Sequence, residues 1–295
     1  MRHLIDVLQR HASPLAPLPT NIAPRCQRLT GVRAVLFDIY GTLIVSGSGD
    51  IGSASSQQLA RCMHESLASH GIDSDGDGTI DTARFQALIR EHQQRSRERG
   101  IATPEVEIRD VWRDFLGEPR ARGAANAEDG ADVDIEHLAA DYEGRTNPIW
   151  MMPHAVEVLN RLASADYRLG IVSNAQFYTP LLFPALTGQT MEELSISPEL
   201  SFFSFQHQIA KPGIAMYEQA EAALKNLGIL ANETLYVGND MLNDIWGAVC
   251  LGFRTAWFAG DQRSMRARED DPRVTGLEPD LILTDLKQLP QCLDA

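Results

Sequence analysis

From Arg33 the chain runs through Ala34, Val35, Leu36 and Phe37 without a polar break, reaches Asp38, and then turns at Gly41 and Thr42. Such a run is too short for a helix; bounded by turn residues, it predicts a buried strand that ends in an aspartate. The strand pattern does not return until about Arg168. The stretch between is rich in helix formers and charge, Asp81 to Arg99 above all, and reads as a helical insertion with a small polar loop at Gly123 to Asp132. Beyond Pro153 the pattern alternates. It predicts a helix to Ala163, a strand to Ser173, an apolar run from Leu200 to Phe205, and a helix from Ala215 to Leu227. A strand to Gly238, a helix from Asp244 to Leu251, a strand from Arg254 to Phe258 and a last strand near Leu281 to Leu283 follow. Short apolar strands alternating with helices predict an α/β fold, a doubly wound parallel sheet covered on both faces.

Ahead of this pattern, Leu4, Ile5 and Leu8 suit one short amphipathic helix over Met1 to Arg10. Four prolines between Pro14 and Pro24 then predict an extended linker, because proline has no amide donor and a fixed backbone angle. The expected organisation is therefore an extension over residues 1–30, an α/β core over 31–46 and 146–295, and the helical insertion over 47–145.

The net charge of −14 argues against a partner such as nucleic acid or an anionic membrane, which would repel the chain. Cys26, Cys62, Cys250 and Cys292 are scattered without metal-ligand spacing and read as free thiols of a reducing compartment. No apolar stretch has the length of a membrane span, and the amino terminus lacks a signal-type apolar segment. The expectation is a cytoplasmic protein acting on a small molecule, with its oligomeric state undetermined.

Chemistry concentrates where the predicted strands end. If the segments holding Asp38, Ser173, Lys211 and Asp240 are taken as ends of neighbouring strands, these polar residues converge on one crevice of an open parallel sheet. A carboxylate nucleophile, a hydroxyl and an ammonium that hold an anion, and a second carboxylate make a coherent site for displacement at an electrophilic centre. Taken singly, each has a plainer reading: a turn cap for Asp38, a turn residue for Ser173, a surface amine for Lys211 and a helix N-cap for Asp240.

The order of the segments carries more. Ala34 to Leu43 with its Asp38-Ile39-Tyr40-Gly41-Thr42, Leu169 to Asn174, Ala210-Lys211-Pro212, and Leu235 to Asp240 with Asp244 together resemble the haloacid dehalogenase-like (HAD) hydrolase superfamily. The resemblance implies a Rossmann-like core with the insertion as a helical cap. It implies that Asp38 is the nucleophile, that Lys211 and Tyr40 belong to the catalytic set, and that Ser173, Asn174, Gly41 and Thr42 bind substrate. In the superfamily's phosphatases Mg²⁺ is held by the matches of Asp38, Asp240 and the backbone carbonyl of Tyr40, with Asp244 orienting a ligand. Asp38 would then form an aspartyl-phosphate that water cleaves.

Tyr40 departs from the phosphatase pattern, which usually has an acid/base aspartate there. A tyrosine of ordinary pKa near ~10 is a poor base at neutral pH. The superfamily's 2-haloacid dehalogenases share Asp-x-Tyr-Gly-Thr and lose a halide that needs no proton. The last motif, Gly238-Asn239-Asp240 with Asp244, resembles the phosphatases instead, and carboxylates crowded beside Asp38 call for a cation or a proton between them. The expected function is thus a Mg²⁺-dependent phosphatase of a small phosphorylated metabolite. The alternatives are a metal-independent 2-haloacid dehalogenase-type hydrolase, or a catalytically weakened member that binds a ligand or partner.

Other features carry less. Asp75-Gly76-Asp77-Gly78-Thr79 matches the usual first motif letter for letter, but His70 to Ser74 ahead of it cannot form a buried strand. Asp73 to Asp81 also fits the start of an EF-hand loop; Arg84 stands where a bidentate glutamate is required, which argues against a tight calcium site. His64, His70 and His92 are too dispersed to be a ligand set. Phe202, Phe203, Phe205, Trp246 and Trp257 are expected in the core, and Cys250 is expected to be buried.

Overall fold

The computed structural model describes residues 1–48, 56–72, 82–117 and 133–293. Its strands, in chain order, are β1 Ala34–Phe37, β2 Ile44–Ser46, β3 Ile149–Met151, β4 Arg168–Ser173, β5 Ile196–Phe203, β6 Thr234–Gly238, β7 Arg254–Phe258 and β8 Leu281–Leu283. Six of them form one sheet in the order β5-β4-β1-β6-β7-β8, with every neighbouring pair parallel. The chain therefore winds outward from β1 through β4 to β5 and then crosses back to β6 on the other side of β1. That reversal is where open α/β sheets leave a crevice beyond their strand ends.

All four residues of β1 are buried, as a strand covered on both faces requires. Successive side chains point to opposite faces. Val35 and Phe37 join one apolar cluster with Val158, Leu159 and Leu162 of the helix Ala155–Ser164. Ala34 and Leu36 join another with Met216, Tyr217, Ala220 and Leu224 of the helix Ala215–Asn226. Phe37 pairs in register with Ile171 of β4 and Val237 of β6, so Asp38 emerges level with Val172 and Gly238.

Three expectations are corrected. A strand pattern does exist between Asp38 and Arg168: β2 and β3 pair antiparallel, Ile44 with Met151 and Ser46 with Ile149. Three-residue strands are too short for a periodicity to register, and their partners lie far apart in the chain. Cys250 is exposed, because it ends the short helix Gly247–Cys250, whose buried residues are Gly247 and Ala248. The helix expected from Asp244 starts earlier, as a π-helical turn Met241–Trp246 capped by Asp240. Phe203 and Trp257 are buried as expected, while Phe202 and Phe205 pack against the core from its edges.

Among the described residues five helices outside the sheet layers carry their own labels: α1 Arg2–His11, α2 Ser56–Ser69, α3 Thr82–Glu98, α4 Ile108–Leu116 and α5 Ile135–Thr146. The last four share a separate apolar cluster built on Met63, Phe85, Val111, Trp112 and Leu138. His70 lies against His137, and His92 against Asp114, within this helical layer. The Gly123 to Asp132 loop and the acidic stretch from Asp73 to Asp81 lie outside the described residues.

The amino-terminal segment is extended after α1, as its prolines predict, but it is fastened to this chain along its length. The amide of Leu18 donates to Asp261 Oδ1 at 2.9 Å, Thr20 Oγ1 to the carbonyl of Ala259 at 2.6 Å, and the amides of Arg25 and Leu29 to the carbonyls of Ile282 and Cys292 at 2.8 Å each. Among the described residues no helix is long and apolar enough to cross a membrane.

Candidate active site

Asp38 leaves β1 with its backbone amide still donating to the carbonyl of Val237 at 2.9 Å, which sets the carboxylate at the mouth of the crevice. One carboxylate oxygen, Oδ1, accepts from Ser173 Oγ at 2.9 Å and from Lys211 Nζ at 2.7 Å. Among the described residues no hydrogen bond reaches Oδ2. Ser173 is fully buried at the end of β4, so its hydroxyl faces Asp38. Asn174 holds the lysine's backbone: its Oδ1 accepts from the amide of Lys211 at 2.7 Å and its Nδ2 donates to the Lys211 carbonyl at 3.2 Å.

Lys211 Nζ also donates to Asp244 Oδ1 at 2.6 Å. Burial alone would lower the lysine's pKa, but Asp244 and Asp38 outweigh it and hold the ammonium well above its ordinary range. Burial pushes Asp244 up to about 7 against the pull of Lys211, and Asp38 and Asp240 add to the rise. Asp244 reaches this position from the π-helical turn, and its Oδ2 accepts from the amide of Asp240 at 2.9 Å. Gly238 makes room for it, since a Cβ there would fall on the Asp244 carboxyl.

Asp240 caps the same turn, its Oδ1 accepting from the amides of Leu242 and Asn243 at 2.9 and 3.0 Å. Its other partner is one the sequence reading missed. Arg268 Nη2 donates to Oδ2 at 2.6 Å and Nε to the same oxygen at 3.0 Å. Arg268 holds a backbone φ of 54°, an uncommon conformation for a residue with a side chain. The segment from Asp261 to Arg268 also brings Ser264 and Arg266 to the crevice. A signal was present: Arg263, Arg266 and Arg268 crowd together directly after a predicted strand in an otherwise acidic chain.

Of the remaining sequence-predicted residues, Tyr40 lines the crevice but shares its hydroxyl with Thr179 Oγ1 at 3.1 Å. Burial, then the nearby Glu143, hold its pKa far above the ordinary tyrosine range, so it stays protonated and offers no base at neutral pH. Gly41 and Thr42 lie behind the crevice and do not line it. Gly41, at φ +80°, turns the chain where a Cβ would come within 2.5 Å of Asn239 Nδ2, and Thr42 is fully buried. They shape the turn that presents Asp38.

Asp38, Asp240 and the Tyr40 carbonyl are hard oxygen donors, the type that suits Mg²⁺. The charge balance also suits a cation, because among the described residues the carboxylates of Asp38, Asp240 and Asp244 are in direct contact with only Lys211 and Arg268. Among the described residues no group of three or more acidic, histidine or cysteine side chains is arranged to hold a metal. A cation here would lean on two carboxylates, a carbonyl and water, and Arg268 would have to yield at Asp240.

A family model described as haloacid dehalogenase-like hydrolase matches residues 32–252. A curated relative, the glyceraldehyde 3-phosphate phosphatase of Pyrococcus abyssi (strain GE5 / Orsay), is 31% identical over 109 residues, which is 36% of this chain and 42% of that protein. The chain thus spans less than half the length of this relative. Among solved structures, a 2-haloacid dehalogenase from Pseudomonas syringae pv. Tomato DC3000 aligns with a TM-score of 0.59 at 18% identity, covering 88% of this chain and 97% of that one. A HAD phosphatase from Thermococcus onnurineus aligns with a TM-score of 0.51 at 19% identity and the same coverage. At such identities these two structures speak to the fold alone.

Proposed function

Because the chain belongs to the haloacid dehalogenase-like hydrolase family, we propose that it is a phosphatase that transfers the phosphoryl group of a small metabolite to Asp38 and then to water. The observation that carries this reading is the division of labour at Asp38. One oxygen is held by Ser173 and Lys211, and the other is left to attack, beside a crevice lined by Lys211, Arg266 and Arg268. The phosphatase among the curated relatives supports the same choice.

In this mechanism Asp38 Oδ2 forms a bond to phosphorus as the ester oxygen departs, giving an aspartyl-phosphate. Lys211 and the arginines hold the phosphoryl oxygens. Water then attacks phosphorus, the bond to Asp38 breaks, and inorganic phosphate leaves. With Tyr40 protonated and fastened to Thr179, the departing oxygen receives no proton from that position, so leaving groups of low basicity are favoured. Mg²⁺, held by Asp38, Asp240 and the Tyr40 carbonyl, would supply neutralisation of phosphoryl charge. Residues 47–145 would act as the cap over the crevice, on the core of residues 31–46 and 146–295.

A second reading has its own support. Tyr40 in place of an aspartate, and Arg268 already paired with Asp240, suit a metal-independent 2-haloacid dehalogenase in which Asp38 attacks carbon and a halide leaves unprotonated. A panel of phosphate esters and 2-haloacids, each with Mg²⁺ and with chelator, separates the two. Phosphate release that chelator abolishes, and that Asp38→Asn lowers by at least ~10³-fold, is expected. Halide release indifferent to chelator would replace the phosphatase reading with the other.

A further inference from the structure

Beside the crevice lies a larger cavity of about 380 Å³, and Asn147 and Asn174 line both. Its size is that of a small-molecule site. The ester oxygen of a substrate held at Asp38 leaves with the rest of its molecule, and this adjoining space is where that part can sit. One wall is aromatic: Phe85, Trp112 and Tyr142 line it, with the ring of Trp112 4.6 Å from that of Phe85 and 5.3 Å from that of Tyr142.

Two carboxyl groups face this wall's cavity. Glu143, on α5, accepts from Asn147 Nδ2 at 3.0 Å and from the Tyr178 hydroxyl at 3.1 Å. Glu105 accepts from Ser204 Oγ at 2.7 Å and from the amide of Val106 at 2.9 Å. Neither has a cationic partner among the described residues. Both glutamates are half-buried, whereas the fully buried carboxylates have cations: Asp38 and Asp244 share Lys211, Asp240 has Arg268, Asp141 has Arg145, and Asp261 has Arg263. Burial pushes both glutamates up from the ordinary carboxyl range, which a nearby positive charge would reverse.

We propose that this cavity receives the leaving group of the substrate, and that this group is an apolar amino alcohol whose cationic nitrogen lies between the aromatic wall and Glu143 and Glu105. Aromatic faces attract an ammonium, and the carboxylates complete its neutralisation. The choice also suits the chemistry beside Tyr40: an ammonium a few bonds from the ester oxygen lowers the basicity of the departing alkoxide, so that less proton donation is needed. That the group arrives as a phosphate ester rests on the phosphatase reading; that the cavity takes an ammonium does not.

Calorimetric titration with 3-phenylpropylammonium, 3-phenylpropanol and 3-phenylpropanoate tests the cavity without turnover. The ammonium is expected to bind at least ~10-fold tighter than the alcohol, and the carboxylate weakest. Glu143→Gln combined with Glu105→Gln should bring the ammonium to within ~3-fold of the alcohol while leaving alcohol binding unchanged. Asp38→Asn should keep the wild-type order. Equal binding of the three probes, a preference for the carboxylate, or an ammonium preference that survives both glutamine changes would overturn the proposal; the first two need no variant to fold. Turnover is read apart: ammonium preference without hydrolysis of any phosphate ester upholds the cavity's role and removes the phosphatase reading. Hydrolysis of phosphate esters without ammonium preference removes the cavity's role alone.

Discussion

Lys211 gathers oxygens from four segments onto one ammonium: Asp38, the carbonyl of Val172, the hydroxyl of Tyr236 and Asp244. Buried charges of this kind are stable only while paired, and removing one partner typically costs ~3–5 kcal/mol. Arg268 does the equivalent at Asp240, but from the open side of the crevice, where a divalent cation would compete with it. Arg268→Ala should therefore bind Mg²⁺ at least ~10-fold tighter by calorimetry, since it removes a bidentate competitor and a positive charge. Unchanged affinity would mean that Asp240 is not a metal ligand. Asp38 was readable from its neighbours in the chain because a carboxylate straight after four apolar residues has few structural uses. The arginine cluster that holds Arg268 stood out, but its pairing with Asp240 did not, because that partner stands 28 residues away and only the fold brings them together.

At the scale of elements, the join between β6 and the π-helical turn decides where two carboxylates stand. Asp240 caps the turn and Asp244 folds back beneath it, into the space that the missing side chain of Gly238 leaves. Gly238→Ala would force the strand end and the turn apart. Overpacking in a buried position costs ~1–3 kcal/mol, and here it also moves the group that holds Lys211. The expected result is a lower Tm together with a fall in kcat of ~10-fold or more, measured by thermal melting and steady-state kinetics. A variant with wild-type kcat would show that the Asp244 to Lys211 contact is not needed for turnover. The Gly-Asn-Asp order was visible in the chain; that Asp240 and Asp244 face different cations was not.

For the whole molecule, the amino-terminal segment binds the two layers together. α1 buries Leu4, Val7 and Leu8, and His11 Nε2 lies 2.7 Å from Asp141 Oδ1 of α5, which Arg145 also holds. From there the chain crosses to the far strands of the sheet near Ala259, Ile282 and Cys292. Full burial of each such apolar side chain is worth ~1.5–3 kcal/mol, before the cost of ordering the segment. Deleting residues 1–12 should lower the Tm and speed amide exchange in Ile135–Thr146. Unaltered exchange there would mean that α1 rests on the surface without supporting it.

The sequence by itself determined the parallel sheet, the strand ends and most of the crevice, because each depends on residues adjacent in the chain: an apolar run, a turn and a polar residue. It also placed a tyrosine, Tyr40, two residues after Asp38. Only the tertiary structure decided which charges meet. The pairing of β2 with β3, the docking of α1, Arg268 on Asp240, and two glutamates without cations among the described residues beside an aromatic wall all depend on contacts between distant segments. Those contacts are made by packing, and packing leaves no period or spacing in the chain to be read beforehand.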